Sequence, residues 1–160
     1  MDFIKELEGG FSVIENLKVS GAREGKYGVT IILSPNSTAS AVFTSNKVVA
    51  APVRYTKDVL EKGIISAVFV NSGNANCFTG EQGLKDCETL VNLVSEDLNV
   101  PSDEIAISST GVIGREMPID IISKVAYESL SKLGNNPENS LAAAKAIMTT
   151  DTFPKECALE

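Results

Sequence analysis

The stretch IISAVFVNSGNAN, Ile64 to Asn76, decides how the chain reads. Its first seven residues form an apolar run bounded by polar turns, which predicts a buried strand over 64–70. The residues after it, NSGNANCFTGEQG, predict a long polar loop. LKDCETLVNLVSEDLNV then sets Leu84, Cys87, Leu90, Val91, Val94 and Leu98 at helical spacing, so one face of a helix is buried, and Pro101 and Ser102 stop it. Strand, polar loop and helix in that order make one unit of an α/β architecture.

The same order returns downstream. EIAISST (104–110) predicts a strand that runs into GVIGREMP, and a helix follows from about Ile119. Ile122, Val125, Ala126, Ser129, Leu130 and Leu133 lie on one side of it. GNNPEN breaks the chain, SLAAAKAIM predicts a second short helix, and KECALE reads as the start of a strand that would lack a partner. Two such units predict a single layered α/β domain over 1–160, with its ligand side at the carboxyl ends of the two strands.

Upstream, GVTIILS (28–34) has the β-branched density of a buried strand, and SPNST (34–38) reads as a turn. SAVFTSN (40–46) and VVAAPV (48–53) predict a further strand and its edge, where Pro52 limits pairing. RYTKDVLEKG predicts a short helix ending at Gly63. GAREGK (21–26) is one residue short of a phosphate-binding Walker loop and has no following Ser or Thr, so it reads as an ordinary turn.

The composition excludes whole classes of function. The chain has 160 residues, the size of one domain; 43% are hydrophobic and 6% aromatic, with no Trp, so Val, Ile, Leu and Ala must build the core. Lys and Arg number 14 against 21 Asp and Glu, a net charge of −7. A nucleic-acid binder needs a basic face, and an anionic membrane surface would repel this balance. No apolar run approaches the ~20 residues of a membrane span, and MDFIKELEGG lacks the apolar core of a signal peptide, so a cytoplasmic protein is expected. Cys77, Cys87 and Cys157 are odd in number and widely spaced, with no zinc or CxxC pattern, and neither metal nor cofactor is expected. Cys87 reads as a core residue and Cys77 as a loop residue. There is no histidine, so no Cys-His pair can form within the chain.

Three stretches could carry chemistry. NSGNAN (71–76) reads as a tight, self-bonded turn and as a wall of amides beside a polar substrate, two readings that can hold together. SSTGVIG (108–114) has glycines that allow backbone N–H groups to face a cleft and hold an anion or oxyanion. TTDTFPK (149–155) reads either as a helix exit broken by Pro154 or as a hydroxyl-rich recognition strip for a zwitterion.

Taken together and in order, VFTSNKVVAAPV, VNSGNAN with TGEQG, SSTGVIG with MPID, and AIMTTDTFPK resemble the ornithine acetyltransferase family, the bifunctional glutamate N-acetyltransferases of arginine biosynthesis. The resemblance runs from about Gly21 to the last residue and is loosest at GAREGKYG. It implies the family's layered α/β/β/α fold, shared with DmpA-type aminopeptidases and incomplete in this chain. It implies a precursor that cuts itself at an Ala-Thr bond, freeing a Thr nucleophile at the start of a β chain, with α and β chains assembling as an α2β2 heterotetramer. That Thr takes the acetyl group from N-acetylornithine and passes it to glutamate; some members also use acetyl-CoA as donor. Thr110 and Gly111 match the oxyanion-hole pair of the family's STG motif. Thr149, with Thr150 as second choice, matches the substrate-contacting Thr of TTDT.

The resemblance also accounts for the missing histidine. An N-terminal Thr carries its own base, an α-amino group with a pKa near ~8. The family's KGSGMI…AT segment, which holds the cleavage site, is absent from the sequence, so the chain by itself is expected to be inactive. Two other readings stand beside this one. The first is a non-catalytic α/β domain that binds an anionic metabolite through its glycine loops. The second is half of a DmpA-like N-terminal-nucleophile aminopeptidase.

Overall fold

The computed structural model of the chain describes residues 4–160. Its elements are β1 (Glu6–Leu7), β2 (Lys18–Glu24), β3 (Tyr27–Thr38), α1 (Ala51–Val59), β4 (Ile64–Asn74), α2 (Gly80–Leu98), β5 (Ile105–Val112), α3 (Ile119–Leu130), α4 (Pro137–Ile147) and β6 (Ala158–Leu159). Strands β2-β3-β4-β5 form one sheet in that order; the first two pairings are antiparallel, and β4–β5 is parallel. The predicted α/β class is what the chain adopts, and the strands of the two strand–loop–helix units, β4 and β5, form its parallel pair. Among the described residues no helix is long and apolar enough to cross a membrane.

Period-two alternation sorts the strand residues onto two faces. On one face Val29, Ile31, Phe69, Ile105 and Ile107 are buried against Cys87, Leu90, Val91 and Val94 of α2 and Ile122, Val125 and Ala126 of α3. This is the main core. On the other face α4 lies so close that a side chain on Gly21 would meet the Ala142 carbonyl and one on Gly28 the Ala146 carbonyl. Small residues on both partners make this contact possible: Ala142, Ala143 and Ala146 on the helix, the glycines on the strands.

Helix ends follow local chemistry. Asn136 caps α4, its side chain accepting from Asn139 N at 2.8 Å, and Pro137 occupies the first turn, where its missing N–H is no loss. Asn99 in a left-handed conformation closes α2, and Gly63 closes the turn after α1.

Several expectations are corrected. SPNST is no turn: β3 runs through it to Thr38, with the register shifting between Leu33 and Ser37. Pro35 has no N–H for the ladder and Asn36 sits at φ 55, so the polar cluster makes a bulge within a strand. SAVFTSN is not a strand. Residues 39–50 are irregular and mostly exposed, with Val42 98% exposed. VVAAPV is not an edge strand either; Ala51 and Pro52 open α1. The NSGNANCFTGEQG loop is shorter than expected: β4 continues to Asn74 beside β5, α2 begins at Gly80, and only residues 75–79 connect them. The final strand does have a partner, since β6 pairs antiparallel with β1 in the register Glu6↔Leu159 and Leu7↔Ala158.

Candidate active site

The carboxyl ends of β4 and β5 lie side by side, in the register Ser72↔Thr110, Gly73↔Gly111 and Asn74↔Val112. SSTGVIG is therefore the end of a strand, with only its last residues turning away. Gly111 has φ +136 and faces Gly73 at φ +95. A side chain on Gly111 would collide with the Gly73 carbonyl carbon and approach Asn74 N to 2.6 Å, so the contact requires glycine.

The backbone polarity of β5 follows from its partners. β5 is an edge strand. Thr56 Oγ1 of α1 donates to Ile107 O at 2.7 Å and accepts from Ile107 N at 2.9 Å, so Ile107 turns its polar groups away from β4. Ala75 N donates to Val112 O at 3.0 Å, so Val112 turns its carbonyl toward β4. Alternation between these fixed points directs the Gly111 N–H to the free edge. Thr110 shares its face with Ser72, the α4 face, whereas Ser109 lies opposite and donates to Asn71 Oδ1 at 2.6 Å. Thr110 and Gly111 are both exposed, and among the described residues the Thr110 hydroxyl has no hydrogen-bond partner.

The amides of NSGNAN do bond within the fold, but Asn71 to Asn74 belong to β4 and form no turn. Asn71, Asn74 and Asn76 are buried. Asn71 Nδ2 donates to Asn74 O at 2.9 Å. Asn74 Nδ2 donates to Arg115 O and Glu116 O at 3.1 and 2.9 Å, tying down the segment after SSTGVIG, and its Oδ1 accepts from Asn76 N at 2.8 Å. Asn76 Nδ2 donates to Gly83 O at 2.8 Å and to Cys87 Sγ at 3.3 Å, while its Oδ1 accepts from Thr79 Oγ1 at 2.8 Å. The amides are consumed as scaffold and are not free to wall a substrate.

TTDT follows the end of α4, and three strands grip that end. Arg23 Nη1 of β2 donates to Lys145 O at 3.0 Å and Met148 O at 2.7 Å. Thr30 Oγ1 of β3 donates to Ala143 O at 2.8 Å, and Ser72 Oγ of β4 to Ala146 O at 2.6 Å. Thr149 and Thr150 then emerge exposed. The helix ends at Ile147, so Pro154 is not its breaker. Asp151 accepts from Lys155 Nζ at 2.5 Å, which holds its carboxyl below the usual carboxylate range, and Lys155 lies 4.8 Å from the Phe153 ring centre. Beside this turn, between α4 and the sheet, lies a cavity of about 660 Å³ lined in part by Ile32, Val70, Ile147, Met148, Asp151 and Phe153.

Ser72 thus joins the two candidate motifs. Its backbone pairs with Thr110, and its hydroxyl holds a carbonyl three residues before Thr149. Sequence reading missed Ser72 and Arg23 as site-building residues. Ser72 sat inside a motif read for its amides, and Arg23 inside a turn read only for phosphate binding.

Residues 15–160 match the model of the ArgJ family. A glutamate N-acetyltransferase of Methanothermobacter thermautotrophicus is 49% identical over 157 residues, covering 98% of this chain and 39% of that protein. One from Methanosarcina acetivorans is 46% identical over 158 residues, covering 98% and 40%. The chain therefore spans about two fifths of the length of these curated relatives. Among solved structures, the arginine biosynthesis bifunctional protein ArgJ from Bacillus halodurans superposes with a TM-score of 0.90 at 32% identity, covering 98% of this chain and 84% of that one. Ornithine acetyltransferase from Mycobacterium tuberculosis, complexed with ornithine, superposes with a TM-score of 0.92 at 31% identity, covering 98% and 88%.

Proposed function

The chain belongs to the ArgJ family, and on that premise we propose that it is the oxyanion-stabilising part of an acetyltransferase that moves an acetyl group from N-acetylornithine to glutamate. The observation that carries this reading is an exposed, unpartnered Thr110 hydroxyl next to an edge-directed Gly111 N–H, beside the strand that also grips the exit into TTDT.

The attacking group is the N-terminal Thr of a downstream β chain. Its hydroxyl adds to the acetyl carbonyl carbon, and its own α-amine takes the proton. Negative charge then develops on the carbonyl oxygen, where the Thr110 O–H and the Gly111 N–H donate. When the C–N bond breaks, the proton passes to the ornithine amine. The neutral glutamate amine attacks the resulting ester, the same two donors act again, and as the C–O bond to Thr breaks the α-amine passes the proton taken from the attacking nitrogen to the departing Thr oxygen. Thr149, and Thr150 next to it, hydrogen-bond the amino-acid portion of each substrate in turn. The α and β chains assemble as α2β2.

The test is Thr110→Ala in the complete enzyme. Loss of one oxyanion donor lowers turnover by ~10²–10³. Steady-state kinetics should therefore give a large fall in kcat with little change in KM, and uncut precursor should persist on a gel, since self-cleavage is also acyl transfer. A kcat near that of wild type would remove Thr110 from the oxyanion hole.

A further inference from the structure

The last carbonyls of any helix lack partners within the helix and carry partial negative charge. In α4 those carbonyls are met by side chains of the sheet beneath, and the partner closest to TTDT is a cation. The Arg23 guanidinium spans Lys145 O and Met148 O through Nη1, and its Nε donates to Gly25 O at 3.1 Å in its own hairpin turn. Met148 immediately precedes Thr149 and is extended, with ψ 137, so it is the residue at which the chain leaves the helix. A charge-assisted pair of bonds at that point fixes the direction of exit. Thr30 and Ser72 act further back, at Ala143 and Ala146.

We propose that Arg23 is a positioning residue for amino-acid recognition: by holding Met148 O and Lys145 O it sets the turn that presents Thr149 and Thr150 on the face of the sheet that Thr110 occupies. The inference rests on the reading of TTDT and STG given above. Arg23 touches no substrate, and its effect passes through the backbone of Met148. The substrates that feel it are those carrying an α-amino-acid group, donor and acceptor alike, because both would use the same turn.

The experiment is steady-state kinetics on the complete enzyme, with N-acetylornithine and glutamate varied in turn. Arg23→Ala should raise KM for both by about tenfold or more, with kcat within about threefold of wild type. Arg23→Lys, which keeps the charge but loses the Nε bond to Gly25 O and the reach of the guanidinium, should lie between Arg23→Ala and wild type. Asn136→Ala, which removes the cap at the far end of α4, should lower the thermal midpoint and leave KM unchanged. Thr110→Ala is measured alongside. If Thr110→Ala loses turnover while Arg23→Ala keeps the wild-type KM, the role of Arg23 is overturned and the reading of the site stands. If Thr110→Ala is silent as well, both fall together. A KM rise in Asn136→Ala equal to that in Arg23→Ala would mean that docking of the whole helix matters, not the clamp.

Discussion

Asn76 concentrates more structural duty than its size suggests. It is fully buried at φ 45, and its amide binds Gly83 O, Cys87 Sγ and Thr79 Oγ1, while its backbone carbonyl accepts from Ala51 N at 3.3 Å. One residue thereby joins the end of β4 to the starts of α1, through its backbone, and α2, through its side chain. Truncation to alanine would remove the amide's bonds to the Gly83 carbonyl, the Cys87 thiol and the Thr79 hydroxyl and open a small void. Each lost hydrogen bond costs ~0.5–1.5 kcal/mol, and the void adds to it. Asn76→Ala is therefore expected to lose ~2–4 kcal/mol, seen as a lower urea midpoint with an unchanged slope. A loss below about 1 kcal/mol would mean that the network can rearrange without it. Gly111 is constrained differently, by the absence of room: Gly73 and Asn74 occupy the place where a side chain would go.

Strand β5 is the edge of the sheet, and an unpaired edge invites association with other chains. Thr56 blocks it at one point by serving both backbone groups of Ile107. Thr56→Val keeps the shape and removes both bonds, so it should cost about 1–2 kcal/mol and speed amide exchange at Ile107 specifically. Exchange at Ile107 matching wild type would show the hydroxyl to be dispensable. This edge also bears on what the sequence could reveal. The strands at 64–70 and 105–110 were legible because an apolar run with polar borders has few other fates. Residues 40–53 were misread because β-branched composition describes a side-chain surface, and here the apolar residues find no strand pairing: Val42 and Val48 are exposed, and Ala51 and Pro52 open α1. NSGN was read as loop because it is polar, and the second strand was ended at Thr110, yet the two parallel strands continue pairing side by side through Asn74 and Val112. The STG and TTDT motifs could be found by inspection. Their meeting through Ser72 and Arg23 could not, because it depends on a register that only the folded sheet defines.

The chain's core is lopsided. α2 and α3 bury one face of the sheet under a continuous apolar layer, while the opposite face carries α4, a large cavity and the two candidate motifs. Stability and function are thus assigned to opposite sides, and a probe in the first side reports on unfolding without disturbing the second. Cys87 is such a probe. It is 0% exposed beneath the sheet, and burial pushes its thiol up to about 12, whereas Cys157 is exposed. At pH 8 roughly one in 10⁴ of the Cys87 thiols is ionised, and no reagent can reach them. A disulfide reagent should therefore label Cys157 at once and Cys87 only as fast as the whole layer opens. A native thiol that is harder to ionise than the unfolded one stabilises the fold fully below the unfolded pKa of about 9, and that contribution is lost as pH rises toward about 12. Between those limits wild type should lose up to about 1.4 kcal/mol per pH unit more than Cys87→Ala, while near neutral pH the difference between the two should not change with pH. Urea titrations of both proteins at pH 7, 8, 10 and 11 measure this directly, and parallel curves across the whole range would mean that Cys87 reaches solvent in the native state.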